Sequence, residues 1–328
     1  MSGLSGKRVL LIIGGGIVGA SVAFHLTELG WTDVVLLERH TLTSGATWHA
    51  AGLVGRLRAT HNMTRLAAYS ADLYERLEHE MGHPTGFKKV GSVSLADNPG
   101  RMEELVRGAG MASCFDVEVE VVGVDELVER WPLLNPEGLV GGVWIPGDGQ
   151  ASPVDTTMAL AAAAKEGGAR IIESVTVERI RTVDGRAVGV DTDQGPVDAE
   201  YVVTCAGMWS HELGRQAGVN VPLHACEHFY LVTEPVPDLP AGLPTLRGRR
   251  ATGALVSMEK RGVGFGYTMH AAAAEGDVVL TDRSDWLTLG RWRAEFWVRG
   301  TFTLRHGKIA VWDDAFSMGN FASASALG

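Results

Sequence analysis

The segment RVLLIIGGGIVGASVAFHL, residues 8–26, decides the fold of this chain. Residues 9–13 form an unbroken apolar run, which is typical of a strand buried on both faces of a parallel sheet. Gly14, Gly16 and Gly19 follow at once, and apolar residues at helical spacing come next. The pattern G-x-G-x-x-G between a strand and a helix predicts a β–α–β unit that binds a dinucleotide.

Each of these glycines has a predicted physical task. Gly14 permits the tight turn, Gly16 lets the backbone approach a pyrophosphate, and Gly19 lets the helix pack closely on the strand. The first amides of the helix then face the phosphate charge. A second apolar run, residues 34–37, ends in Glu38, a carboxylate placed to hold a ribose hydroxyl. Together these features predict a dinucleotide site.

The composition argues against several other classes of protein. A chain of 328 residues is long enough for two domains. Its net charge of −10, with no basic stripe, argues against a nucleic-acid partner. Three widely spaced cysteines offer neither a metal site nor a disulfide framework and suit a reducing compartment. Four glycines interrupt the first apolar run, and no cleavage site follows it, so we expect a cytoplasmic protein without a membrane span.

Two further segments favour FAD over a nicotinamide cofactor. Residues 41–53, TLTSGATWHAAGL, are a stretch of small residues directly after the second strand, suited to run along a cofactor that reaches inward. Residues 201–210, YVVTCAGMWS, read as a strand that returns the chain to the nucleotide sheet. We therefore expect an α/β fold, in which an FAD-binding Rossmann-like domain is interleaved with an α+β substrate domain.

At these residues the chain resembles the FAD-dependent amine oxidoreductases of the glycine-oxidase type, and among them the dimethylglycine and sarcosine dehydrogenase group. The resemblance covers about residues 7–246. Besides the glycine loop with Glu38, it rests on SGATWHAAG at 44–52, AGMW at 206–209 and EHFY at 227–230. It implies that His49 holds FAD covalently. The other cofactor contacts that we expect are at Thr47, the backbone of Val177, Ala206, Gly207 and Trp209.

The resemblance also implies a substrate side. His228 and Tyr230 are two residues apart in an apolar strand, so they point to one face. His228 would line the amine pocket and bind the substrate carboxylate or accept a proton, although a purely structural histidine is the alternative. The implied reaction is hydride transfer from an N-methylated amino acid, such as dimethylglycine or sarcosine, to flavin. Oxygen or an electron-transfer protein would take the electrons.

The chain order predicts how the two domains alternate. We expect the nucleotide part at about 1–85 and 150–215, and the substrate part at about 86–149 and 216–246. Predicted helices cover 61–82, 124–131 and 156–167. Predicted strands cover 88–95, 141–146, 170–172, 175–183 and 187–192, with Asp184-Gly185 as the last turn.

The tail, residues 247–328, follows a different pattern. It predicts a helix at 249–261 and antiparallel strands at 263–274, 277–289, 292–304 and 308–316. This order resembles the second half of a limonene-epoxide-hydrolase-like domain, a curved α+β fold. That family uses an aspartate–arginine–aspartate relay, which maps to Arg283, Asp285 and Asp314. The earlier strand that positions the water is missing here.

Several alternatives therefore stay open for the whole chain. The tail replaces the glycine-rich return that covers the flavin ring in the amine oxidoreductases, so turnover could be impaired. The chain could instead be an epoxide hydrolase, or a non-catalytic flavin-binding fusion. The junction near residue 247 is either a natural fusion or a sequence join. Half of a hydrolase sheet would expose an apolar face, which favours a homodimer through the tail.

Overall fold

The computed structural model of the chain describes residues 9–225 and 240–248, together with four strands of the tail. The chain divides into two compact units. The first holds Met1–Ser94, Glu103–Val121 and Val143–Thr245, and the second holds Leu95–Met102, Val122–Gly142 and Leu246–Gly328. The predicted domains meet at residue 247, with alternating nucleotide and substrate parts before it, whereas these two units group the tail with two earlier segments.

The helices are α1 (Ile17–Glu28), α2 (His61–His79), α3 (Pro99–Ala112), α4 (Val124–Arg130), α5 (Pro153–Glu166) and α6 (Ser210–Gln216). Short 3-10 helices lie at Ala46–His49, Ser113–Phe115 and Gly207–Trp209. The strands before the tail are β1 (Leu10–Ile13), β2 (Val34–Leu37), β3 (Leu53–Val54), β4 (Ser92–Ala96), β5 (Glu120–Val122), β6 (Gly141–Ile145), β7 (Gly149–Gln150), β8 (Arg170–Ile172), β9 (Val177–Val183), β10 (Arg186–Thr192), β11 (Gly195–Asp198), β12 (Tyr201–Thr204) and β13 (Thr245–Arg247). The tail strands are β14 (Val263–Glu275), β15 (Val278–Leu289), β16 (Trp292–Arg305) and β17 (Lys308–Phe316).

A parallel sheet in the order β12-β1-β2-β8 forms the centre of the first unit. Both faces of β1 are covered. Leu10 and Ile12 pack into one apolar cluster with α1 and α5, while Leu11 and Ile13 pack into another with the antiparallel sheet β11-β10-β9. Every residue of β1 and β2 is buried. The predicted strand buried on both faces, and with it the α/β fold, is confirmed.

The glycine loop brings α1 against the sheet. Gly14 has φ of 108°, and a Cβ there would lie 2.5 Å from the carbonyl oxygen of Cys205, at the end of the neighbouring strand. A Cβ on Gly19 would collide with the carbonyl oxygen of Gly14. Both positions therefore need glycine, one for its backbone conformation and the other for close packing.

Replacing Gly19 with alanine is expected to lower the free energy of unfolding by about 2 kcal/mol, because the added methyl group forces α1 away from the loop. Urea unfolding would measure the loss. Gly108→Ala in α3 is the matched control, since a Cβ there meets no atom within 4 Å. Alanine is the better helix former, so we expect this control to raise stability by about 0.5–1 kcal/mol. Equal stability of the two variants would contradict the packing argument.

Several predicted element boundaries shift for local reasons. The strand expected at 88–95 begins only at Ser92, because Gly91 has φ of 75° and interrupts the extended chain. Helix α5 begins at Pro153, before the predicted start, because the Ser152 hydroxyl accepts a hydrogen bond from the Asp155 amide. The turn at Asp184-Gly185 is as predicted, with φ of 50° and 75°. Helix α3 was not predicted from the sequence.

The tail strands form an antiparallel sheet in the order β14-β15-β16-β17. Their bounds agree with the predicted strands to within one residue. The predicted helix at 249–261 lies outside the described residues. A further sheet has the order β13-β4-β6-β5, and β3 pairs with β7. Within the part of the chain that the structure describes, no helix is both long and apolar enough to cross a membrane.

Candidate functional site

A cavity of about 450 Å³ opens at the carboxyl ends of β1 and β2. Its walls come from the glycine loop, the end of β2, residues 44–47 with Ala50, the first residues of β9, the segment after β12, and α6. In open parallel sheets, ligands bind at the carboxyl ends of the strands, where the connections diverge to opposite faces. The cavity therefore lies where the sequence predicts a dinucleotide.

Glu38 stands at the tip of β2 and lines this cavity, although only 9% of it is exposed. Its Oε2 accepts a hydrogen bond of 2.6 Å from the Gly15 amide, and its Oε1 accepts one of 2.9 Å from the His40 amide. Two backbone donors thus fix the direction of the carboxylate. An ionised carboxylate has about four acceptor sites, so lone pairs remain for the hydroxyls of a sugar.

The N-terminus of α1 forms the floor next to Glu38. Gly16 is its N-cap and, as a glycine, has no side chain with which to cap the helix. The buried Thr47 hydroxyl accepts a hydrogen bond of 3.0 Å from the Ile17 amide and can still donate its own hydrogen. A Cβ on Gly16 would come within 2.9 Å of that hydroxyl oxygen. These residues leave a cradle of donors that fits a pyrophosphate.

The segment after β12 closes the cavity from the other side. The Cys205 amide donates to the Ile13 carbonyl at 2.7 Å, and Cys205, Ala206 and Gly207 all line the cavity. Burial raises the pKa of the Cys205 thiol. The thiol therefore stays protonated near neutral pH, and we assign it no nucleophilic role.

At the mouth of the cavity, the guanidinium carbon of Arg39 lies 3.7 Å from the centre of the Trp209 indole. Both residues are exposed, and both line the cavity. The contact is a cation–π pair. Trp209 was predicted from the sequence, whereas Arg39 was missed. The only sequence signal for Arg39 is a positive charge directly after Glu38, the carboxylate predicted to hold a ribose hydroxyl.

The structure brings most of the predicted cofactor residues around this one cavity: Gly14, Gly16, Glu38, Thr47, Val177, Ala206, Gly207 and Trp209. Two do not line it. Gly19 packs behind the loop, against Gly14. His49 is exposed and is the last residue of the 3-10 helix Ala46–His49. Thr47 and Ala50, on either side of it in the chain, line the cavity. The centre of the His49 ring lies 3.7 Å from the centre of the Trp48 ring.

The remaining predicted site residues lie elsewhere. His228 and Tyr230 are outside the described residues, so the amine pocket stays a prediction. In the tail, Arg283 and Asp285 belong to β15 and Asp314 belongs to β17, with β16 between them. The backbone register pairs Asp314 with Gly300, which in turn pairs with Thr281 of β15. The aspartate–arginine–aspartate relay also stays a prediction.

Comparison with known protein families finds a match over most of the chain. Residues 10–297 match the family described as FAD dependent oxidoreductase, so the match runs past the predicted junction at residue 247. The mouse mitochondrial pyruvate dehydrogenase phosphatase regulatory subunit is 39% identical over 234 residues, 71% of this chain and 27% of that protein. Human mitochondrial dimethylglycine dehydrogenase is 38% identical over 240 residues, 72% of this chain and 28% of that enzyme.

The fold comparison points in the same direction. The crystal structure of glycine oxidase from Geobacillus kaustophilus is 32% identical, with a TM-score of 0.56 over 64% of this chain and 58% of that one. The chain spans only about a quarter of the length of the two curated relatives. The matched region nevertheless contains the whole cavity. The chain belongs to the FAD-dependent oxidoreductase family.

Proposed function

We propose that this chain oxidises an N-methylated amino acid, such as dimethylglycine or sarcosine, with FAD as the resident cofactor. One observation carries the proposal: the Glu38 carboxylate and the N-terminus of α1 face the same cavity at the carboxyl ends of β1 and β2. The likeness to dimethylglycine dehydrogenase supports the class of substrate.

The residues of the cavity would hold FAD at its adenosine and pyrophosphate parts. Glu38 accepts hydrogen bonds from the ribose hydroxyls, while the amides of the first turn of α1 other than that of Ile17, and the Thr47 hydroxyl, donate to the pyrophosphate. FAD supplies a two-electron acceptor when it is bound. The apolar residues at the strand ends, Ile13 and Leu37, exclude water from this part of the cavity.

We extend the proposal to a covalent link between His49 and FAD. The support is positional: His49 is exposed and lies between Thr47 and Ala50, which both line the cavity. A neutral imidazole is a competent nucleophile near neutral pH. His228 and Tyr230 complete the proposal as the residues that bind and orient the amine. The electron acceptor is oxygen or an electron-transfer protein.

The test is reduction of the bound flavin by the amine. Adding sarcosine or dimethylglycine to the purified full chain without oxygen is expected to bleach the visible flavin absorbance. Trimethylglycine is the matched control, because its quaternary nitrogen has no lone pair to stabilise the carbon that loses a hydride. A yellow protein that no N-methylated amino acid bleaches would contradict the proposed activity.

A second candidate is a flavin-binding chain with a regulatory role and no turnover. The observation that favours it is the 39% identity to a protein named as a phosphatase regulatory subunit. The bleaching experiment separates the two candidates, since both bind flavin and only the first reduces it. A colourless protein that hydrates an epoxide would instead support the hydrolase assigned to Arg283, Asp285 and Asp314.

A further inference from the structure

The mouth of the cavity has a flat wall that the proposed chemistry does not use. It consists of the Arg39 guanidinium and the Trp209 indole, 3.7 Å apart, with Trp209 39% exposed. The indole also approaches the loop after β2, because a Cβ on Gly45 would lie 3.8 Å from its Cζ3 atom. Trp209 therefore bridges from the end of β2 to the segment that carries Thr47.

The position of this wall follows from the order of groups along a dinucleotide. The pyrophosphate binds at the N-terminus of the first helix, and the adenosine ribose binds the carboxylate at the tip of the second strand. Adenine is bonded to that ribose, so it lies on the far side of Glu38 from the glycine loop. Arg39 is the next residue along the chain from Glu38 and also lines the cavity.

The charges of the residues that line the cavity limit the roles that Arg39 can have. Among the lining residues that the structure describes, Arg39 carries the only positive charge, and Glu38, Glu178 and Glu212 are acidic. Hydrogen bonds from Arg215 hold the pKa of the Glu212 carboxyl below its usual range. The guanidinium is already stacked on an indole, and a planar group stacks on aromatic rings as well as pairing with anions.

We propose that the adenine ring of the dinucleotide stacks against the Arg39–Trp209 pair, which forms one stacked surface. Bases stack on aromatic side chains and on arginine through their π faces, without needing a particular hydrogen-bond pattern. This stacked surface would make the site select a dinucleotide, because a flavin mononucleotide has no adenine to stack on it. This inference rests on the FAD site of the proposed function and does not depend on the amine.

ADP is the probe, because it contains the adenine, ribose and pyrophosphate of FAD but cannot attach covalently. Calorimetric titration of the full chain, purified flavin-free from riboflavin-limited cells, is expected to show Arg39→Ala and Trp209→Leu each weakening ADP binding about tenfold, or about 1.4 kcal/mol. Arg39→Lys keeps the charge but loses the planar group, so we expect it to stay close to Arg39→Ala.

The control is Arg107→Ala, which removes an exposed arginine of α3 that pairs with Glu103 away from the cavity. It is expected to bind ADP like the unaltered chain. The proposal is overturned if Arg39→Lys keeps full affinity, since attraction between the positive charge and the phosphates would then explain the role of Arg39. It is also overturned if Trp209→Leu has no effect, or if the unaltered chain does not bind ADP. Failure of the amine to bleach the flavin would leave these affinities unchanged.

Discussion

Replacing His49 with alanine is expected to release all of the flavin when the protein is precipitated with acid. Acid unfolds the chain and destroys the cradle formed by Glu38, Thr47 and the first turn of α1, so only a covalent bond can keep flavin in the pellet. We expect a yellow pellet from the unaltered chain and a yellow supernatant from His49→Ala. The measurement is the visible absorbance of the two fractions.

The control for this experiment is His79→Ala, which removes another exposed histidine at the end of α2. Its flavin should stay in the pellet. Because His49 is itself exposed and lies outside the cavity lining, its replacement should leave the unfolding midpoint of the flavin-free chain unchanged. A colourless pellet from the unaltered chain would refute the covalent link while leaving the FAD site in place.

The part of the fold that could be predicted from sequence is the part in which every local signal agrees. Strand β1 is buried on both faces and therefore appears as a continuous apolar run, and the glycines that follow allow one tight turn and one close contact. The tail strands are equally predictable from the sequence, because glycines in the predicted turns mark their ends. Neither signal says what the charged residues of the tail do.

Helix α3 shows why other elements were missed. It buries only Ala112 fully, and it contains three glycines, at positions 100, 108 and 110. A helix with a narrow buried face gives little hydrophobic periodicity, and glycine lowers helix propensity further. Helix α6 presents the same difficulty, since it has seven residues and contributes to the cavity through its position beside β9.

Arg39 shows which part of the candidate site could not be predicted from the sequence. The glycines and Glu38 belong to one local pattern, so their meeting at a cavity follows from the β–α–β unit. The role of Arg39 depends on its contact with Trp209, which lies far along the chain. Trp209 reaches Arg39 because β12 pairs with β1. Such a contact forms only in the tertiary fold, so no spacing in the sequence predicts it.

Glu38 is the residue whose loss should weaken nucleotide binding most. Glu38→Ala removes the acceptor for the ribose hydroxyls, and hydrogen bonds to a charged group contribute about 1.5–3 kcal/mol each. We therefore expect ADP to bind about a hundredfold more weakly, which corresponds to about 2.7 kcal/mol. Calorimetric titration measures this effect without interference from a covalent bond. Glu80→Ala, at an exposed position beyond α2, is the control and should bind ADP normally.

Glu38→Gln separates the two tasks of this side chain. The amide oxygen of glutamine can still accept one of the bonds from the Gly15 and His40 amides, but its NH₂ group cannot accept the other. We expect the stability of Glu38→Gln to lie between that of the unaltered chain and that of Glu38→Ala. Its ADP affinity should still be reduced at least tenfold, because the negative charge is gone. Full ADP affinity in Glu38→Gln would show that the carboxylate only braces the loop. The ribose would then need another acceptor, and Glu178, which lines the same cavity, is a candidate.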